Sequence, residues 1–353
     1  MVDNILIHLF LQFFISLESI DMGSFLCFKG GIMNFDNTEL DKLLRQLRKI
    51  EKHRSVSAEK QIRKIYKQIL AEIKLFLSNV YINYAIDDKL TYATLQQYGY
   101  YARFIEEVEE KLSGISPQIS SEITKTVENA YQAMYDGSIQ AVKMAAGSNL
   151  VLHQVLDGVK GTTPEVIKSA VENPIPKLTL KDTLEKNRKE IIYNIKREVN
   201  TGLLNGDRYT TVAKRISKSL DGDYKKSVRI ARTESHRVIE AGHNDANVAM
   251  DEKLKGSGYR LIKIWHTAQD ERVRPKRGIG KKPKGNFNHV ILEGVSAPMN
   301  YYFLSEGTKT LAPSQSGKAG FDINCRCTLS TKLVTDKELE EIKKMHSEYI
   351  SKP

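Results

Sequence analysis

Residues 259–267 read YRLIKIWHT, a run rich in β-branched and aromatic side chains that comes after Gly256 and Gly258. Partly apolar on both faces, it predicts a strand covered on both sides, and hence a central one. The texture of the chain changes here. The residues before the run carry helical patterning, and those after it form short extended candidates, Asn300–Leu304 and Cys327–Val334, between Gly-, Ser- and Pro-rich loops. The expected fold is therefore α+β, a mostly helical N-terminal region followed by a small α+β C-terminal domain with a short sheet.

Upstream, Asn37 is the expected cap of a helix in which Leu40, Leu43, Leu44, Leu47 and Ile50 recur at helical spacing. After a break at Ser55–Ser57 the pattern returns with Ile62, Tyr66, Ile69, Ile73, Leu77 and Val80, so the two segments are expected to form a helical hairpin. A third amphipathic segment begins after Thr91 and stops near Gly114. Ile119–Ala146 reads as a helix broken at Gly137, and Thr163-Pro164-Glu165 starts a short one with a cap and a first-turn proline. Asn173-Pro174-Ile175-Pro176 forces extended backbone and marks the expected boundary between a helical region, 33–175, and a second domain, 176–335. Beyond it come helices over Leu184–Leu203 and Val212–Leu220, an Asp221-Gly222-Asp223 turn, and a longer helix carrying Arg232-Thr233-Glu234. A charged helix or tail, 336–353, closes the chain.

The chain has 353 residues, 41% hydrophobic and 27% charged, with a formal net charge of +11. That length can bury a substantial core, and the balance is that of a globular protein rather than a disordered one. The positive field attracts phosphate backbones without reading sequence, so double-stranded DNA or an acidic protein is a plausible partner. Three cysteines do not make a disulfide framework and fit a reduced place of folding. Ile5–Ile20 is apolar but interrupted by His8, Gln12, Ser16 and Glu18, too short for a membrane span and without the basic start of a signal peptide. No membrane partner is expected. Residues 1–32 read as an extension ahead of a start at Met33 or Met22, with a short docking helix as the competing reading.

Most of the unusual chemistry lies between Arg232 and Cys327. Cys325 and Cys327 on extended backbone would point to one side, with Arg326 on the other. Two such thiols could share a zinc ion, completed by His289 and Asp270, with His266 as a substitute ligand. The alternative is that the cysteines fill a strand as small apolar groups. Arg232 and Glu234, two apart on a helix, point in different directions and must each reach another element. Arg232 to Asp270, and Glu234 to Arg272 or Arg274, beside Trp265, would make a structural clasp between helix and sheet. Lys276, Arg277, Lys281, Lys282 and Lys284 crowd one Gly- and Pro-rich loop that can track phosphates, or be merely solvated. The sequence holds no phosphate-binding Gly-rich loop ending in Lys-Ser/Thr, no H-E-x-x-H and no G-x-S-x-G, so no enzyme is expected.

The ordered set R-T-E, W-x4-D-x-R-x-R (Trp265, Asp270, Arg272, Arg274), H-x2-L-x-G (His289, Leu292, Gly294) and C-x-C (Cys325, Cys327) resembles the phage Mu protein F-like family of minor head proteins, over roughly residues 190–330. Glu293 stands where an Asp is more usual, and a basic segment, Arg277–Asn286, separates Arg274 from His289. The resemblance implies a phage or prophage head-morphogenesis protein whose partners are the portal and the capsid or scaffold proteins. It would be made in the bacterial host cytoplasm and end in the head interior of the virion, where it could contact packaged DNA. Some relatives carry C-terminal toxin modules. Only a short helix comes after Cys327 here, so none is expected. The rival readings are a metal-dependent enzyme acting on nucleic acid or nucleotide, and a non-specific basic DNA-binding module.

Overall fold

A computed structural model describes residues 35–352, apart from 98, 114, 173–179, 271 and 275–286. The first element, α1 (Asn37–Tyr84), is one helix of 48 residues, not a hairpin. Its buried face runs through Leu40, Leu44, Glu51, Ala58, Ile62, Tyr66, Ile69, Ile73 and Leu77 without a gap. Ser55–Ser57 contains neither Gly nor Pro, and weak propensity alone does not stop a helix whose packed face continues across it. Asp36 supplies the cap, accepting from the Thr38 and Glu39 amides at 2.9 and 3.0 Å.

Next come α2 (Tyr92–Gln97), α3 (Tyr100–Ser113), α4 (Ile115–Ala145), α5 (Leu150–Leu156), α6 (Pro164–Glu172), α7 (Leu180–Asn205) and α8 (Tyr209–Leu254). The segment after Thr91 is divided by Gly99, whose φ of +66° suits glycine. Gly137 does not break α4; a Cβ there would meet the Leu47 side chain at 2.9 Å. The Asp221-Gly222-Asp223 turn is likewise absent, because Val212, Ile216, Leu220, Asp223, Ser227 and Ala231 share one buried face through it. Ser227 bonds the Tyr66 hydroxyl and the Asn187 amide, each at 2.9 Å, and so ties α1, α7 and α8 together. The expected boundary at 173–176 lies outside the described residues.

Helices α1, α4 and α8 form the centre of the bundle, and α4 and α8 approach closely at Gly242. A Cβ there would lie 2.6 Å from the Tyr131 carbonyl oxygen, a backbone atom that cannot swing aside. Gly242→Ala is therefore expected to lose about 1–3 kcal/mol on denaturant unfolding, despite alanine's better helix propensity. A neutral or stabilising change would contradict this packing.

The sheet elements are β1 (Tyr259–His266), β2 (Ser296–Pro298), β3 (Tyr302–Ser305), β4 (Thr308–Thr310), β5 (Thr328–Thr335) and β6 (Ile350–Ser351), with short helices at Val290–Leu292 and α9 (Ala319–Asp322), and α10 (Asp336–Met345). One antiparallel sheet has the order β2-β1-β5, with β1 central as its apolar run requires; the other is β4-β3-β6. The tail thus contributes α10, capped by a Thr335–Glu338 capping box, and a strand paired with β3. The fold is α+β.

Helix α8 lies on the β1–β5 face through a polar stripe. Glu240, His243, Asn244, Asn247 and Asp251 are all buried at helical spacing. Opposite them, Leu261, Lys263 and Trp265 of β1 pair with Leu333, Thr331 and Leu329 of β5. Asp251 takes the Arg260 guanidinium and the Leu261 amide. His243 shares hydrogen bonds at 3.0 Å with Ser138 and with Thr331, and burial pushes its pKa well down. Glu240 accepts from the Leu329 amide at 2.9 Å and from Arg48 of α1 at 2.9 Å. The side chain of Asn37 pairs with both backbone groups of Leu333, which fastens the start of α1 to β5.

Candidate functional site

Around Trp265 the second half of the chain closes a core of Leu292, Val295, Phe303, Phe321, Cys325, Cys327 and Leu329. Trp265 meets Phe303 edge-on at 5.2 Å, His289 at 6.0 Å and Phe321 at 6.4 Å. The His289 amide donates to Arg274 O at 2.7 Å. This bond brings the two ends of the basic segment together, so its length does not carry His289 away.

His289, Cys325 and Cys327 are all buried, and each has a donor atom within 4.8 Å of the others. His289 Nδ1 lies 3.3 Å from Cys327 Sγ and 3.6 Å from Cys325 Sγ. Tetrahedral zinc, with bonds near 2.3 Å to sulfur and 2.0–2.1 Å to nitrogen, requires S···N edges of about 3.6 Å. The donor set therefore fits such an ion. His289 Nε2 is buried with no hydrogen-bond partner among the described residues, so the ring is not an ordinary satisfied core histidine. A bond from Cys327, opposed by burial and helped by His236 and His289, takes the Cys325 thiol well below its usual range. Cys327, which shares that bond and is itself buried, is pushed far up.

Asp270 and His266 stand apart from this group. Arg326, between the cysteines, faces away from them and takes Asp270 in a bidentate pair. That guanidinium, with the Arg272 amide at 2.9 Å, holds the Asp270 carboxyl well below the usual carboxylate range. His266 is next to Trp265 on β1 and so points to the opposite face, where Ser330 lies at 2.8 Å and Glu293 at 3.5 Å.

The residues expected to form a clasp do join elements, but through other partners. Arg232 pairs with Glu59 of α1 at 2.6 Å rather than with Asp270. Thr233 Oγ1 accepts from the Asn324 amide at 3.4 Å, next to the cysteine pair. Glu234 holds Arg237 at 2.9 Å, and Arg237 donates to the Ala170 and Val171 carbonyls at the end of α6. Arg272 lies 3.5 Å from Asp270, and Arg274 donates to Ile323 O. Lys276, Arg277, Lys281, Lys282 and Lys284 lie outside the described residues.

Two features were not foreseen from the sequence. His236 of α8 bonds Cys327 O at 2.9 Å. Burial opposes a proton on its ring, yet the Cys325 thiol and Glu240 raise its pKa on balance. Lys74 of α1 and Tyr209, Thr210, Lys214, Lys218 and Asp221 of α8 line an open groove. Lys214 and Lys218 are exposed, and Asp221, the acid of the groove, pairs with Lys225 at 2.6 Å.

The family described as Phage Mu protein F like protein matches residues 193–330. Minor head protein GP7 of Bacillus phage SPP1 is 30% identical over 307 residues, which cover 87% of this chain and 89% of that one. The NAD(+)–arginine ADP-ribosyltransferase EFV of Enterococcus faecalis (strain ATCC 700802 / V583) is 25% identical over 325 residues, 88% of this chain and 60% of that protein. No solved structure matches.

Proposed function

This chain belongs to the phage Mu protein F-like family, and from that premise we propose that it is a minor head protein, a structural part of the phage head rather than an enzyme. The observation that carries this is the likeness to GP7 over nearly the whole of both chains, bundle and sheet domain together. The helices of 33–175 are the part assigned to the portal and capsid proteins, and 176–335, which adds α7 and α8 to the same bundle, carries the thiol–imidazole group. The place of work is the interior of the head. No helix among the described residues is long and apolar enough to cross a membrane. The test is incorporation: in heads assembled with the gene present, the chain should sediment with portal and capsid proteins, and recovery only as free protein would refute the assignment.

The transferase relative extends well beyond the matched part, since this chain spans about 60% of it. We assign its named activity to the portion outside the match. The buried His289, Cys325 and Cys327 are read as a structural zinc site: held by these side chains, the ion would cross-link the loop of His289 to the C-x-C segment.

Contact with packaged DNA is assigned to the groove between α1 and α8, because Lys74, Lys214 and Lys218 leave it with surplus positive charge. Such contact is with phosphates and is independent of sequence. Binding to random duplex DNA should weaken with salt, and changing the three lysines to Gln should lower the log–log slope by about 0.9 for each phosphate that is no longer neutralised. An unchanged slope would rule the groove out as the DNA-binding surface.

A further inference from the structure

The three clustered donors come from one loop and one short extended segment, and a closed tetrahedral site needs a fourth. We propose that His236 of α8 is that fourth ligand, so that a single zinc ion held by His236, His289, Cys325 and Cys327 fastens the long helix to the sheet domain. The inference rests on reading the cluster as a zinc site, and it adds a ligand from a different element.

Three observations converge on His236. Its Nε2 already lies at the C-x-C segment, 2.9 Å from Cys327 O. Cys327, whose carbonyl it bonds, carries a thiol 3.3 Å from His289 Nδ1. Finally, the helix at this point is fixed on both sides. One turn on, Glu240 takes the Leu329 amide at 2.9 Å, and three residues back, Thr233 takes the Asn324 amide at 3.4 Å. The backbone at His236 is thus held in register beside the C-x-C segment, while the ring lies outside the three donors that share a 4.8 Å range, so ligation requires its side chain to turn inward.

Coordination would replace the bond to Cys327 O. A single neutral hydrogen bond is weak beside the coordination bonds that hold a structural zinc ion. The thiols lose their protons on binding, and charge balance favours the arrangement: two thiolates offset the dication, leaving a neutral centre in a buried setting. The sequence distance explains why this ligand is easily missed, since His236 precedes the rest of the group by more than fifty residues and sits on a helix.

The test uses the full chain purified from zinc-containing medium, with metal content measured and the zinc exchanged for cobalt(II). One metal per chain is expected, with the intense visible absorption of a four-coordinate cobalt–thiolate centre. His236→Ala should weaken retention against a competing chelator by more than the roughly 10–100-fold typical of losing a residue that merely supports a ligand. It should also alter the cobalt spectrum, whereas His236→Cys, which restores a donor, should recover tight binding. Folded wild-type protein that retains no metal would overturn the zinc reading itself. One metal per chain with the same cobalt spectrum and affinity in His236→Ala would overturn the assignment of His236 alone. If His236→Ala does not fold, the His236→Cys variant decides: a new cobalt–thiolate charge-transfer band from the added sulfur supports direct ligation, and an unchanged spectrum refutes it.

Discussion

Replacing Arg48 by Met is expected to lower stability by about 3–5 kcal/mol, because it strands a buried carboxylate. Glu240 has no solvent exposure, and its oxygens are satisfied by the Arg48 guanidinium and the Leu329 amide. The same guanidinium reaches Leu329 O at 2.5 Å. One arginine of α1 therefore holds a residue of α8 and the start of β5 together. Denaturant unfolding of Arg48→Met should show a lower midpoint. The double variant Arg48→Met, Glu240→Leu should recover much of the loss, since an apolar pair leaves no charge without a partner. A loss below about 1 kcal/mol for Arg48→Met, the scale of an exposed ion pair, would mean that the pair does not join the bundle to the sheet.

The second large effect concerns pH. Lys263 is buried between α8 and the second sheet, its Nζ donating to Leu311 O at 2.7 Å with Asn244 Oδ1 at 3.4 Å and the Phe303 ring at 5.4 Å. Burial pushes its pKa down to about 7, against a weaker pull upward from Asp245. Between that value and the roughly 10.4 of an unfolded lysine, the unfolded chain binds the proton and the folded chain does not. Stability from this group therefore rises with pH through that window and is lost as pH falls toward 7, at about 1.4 kcal/mol per pH unit. From pH 7 to 9 the wild type should gain roughly 2 kcal/mol relative to Lys263→Met. Parallel pH profiles of the two proteins would show that Lys263 stays charged in the fold.

How much was legible in the sequence depended on whether the signal was local. The strand at 259–266 declared itself through apolar residues on both faces, and period-two geometry placed Cys325 and Cys327 on one side with Arg326 on the other. His289 also joined the thiols, because the Arg274–His289 backbone bond absorbs the intervening segment. Asp270 did not, and the reason was within reach: Arg326 points away from the thiols, and Asp270 is its counter-ion. The partners of Arg232 and Arg48 were hidden because each lies more than 170 residues distant in the chain. Three helices that the sequence divides run on in the structure, since Ser55–Ser57, Gly137 and Asp221-Gly222-Asp223 weaken the local signal without ending the helix. For α8 the missed signal was a stripe of polar residues. His236, Glu240, His243, Asn247 and Asp251 recur three or four apart and so share one helix face. They mark the face that meets the sheet and the candidate metal site.

Bundle and sheet are thus held together by buried polar contacts, as suits a fixed part of a larger assembly. The most direct measurement of that role is quantitative mass spectrometry of purified, DNA-filled heads from a host that carries this gene with its neighbouring head genes. Peptides of this chain are expected inside nuclease-treated, protease-resistant heads, at a small number of copies relative to the capsid protein. Complete heads that contain portal and capsid proteins but none of this chain would contradict the assignment.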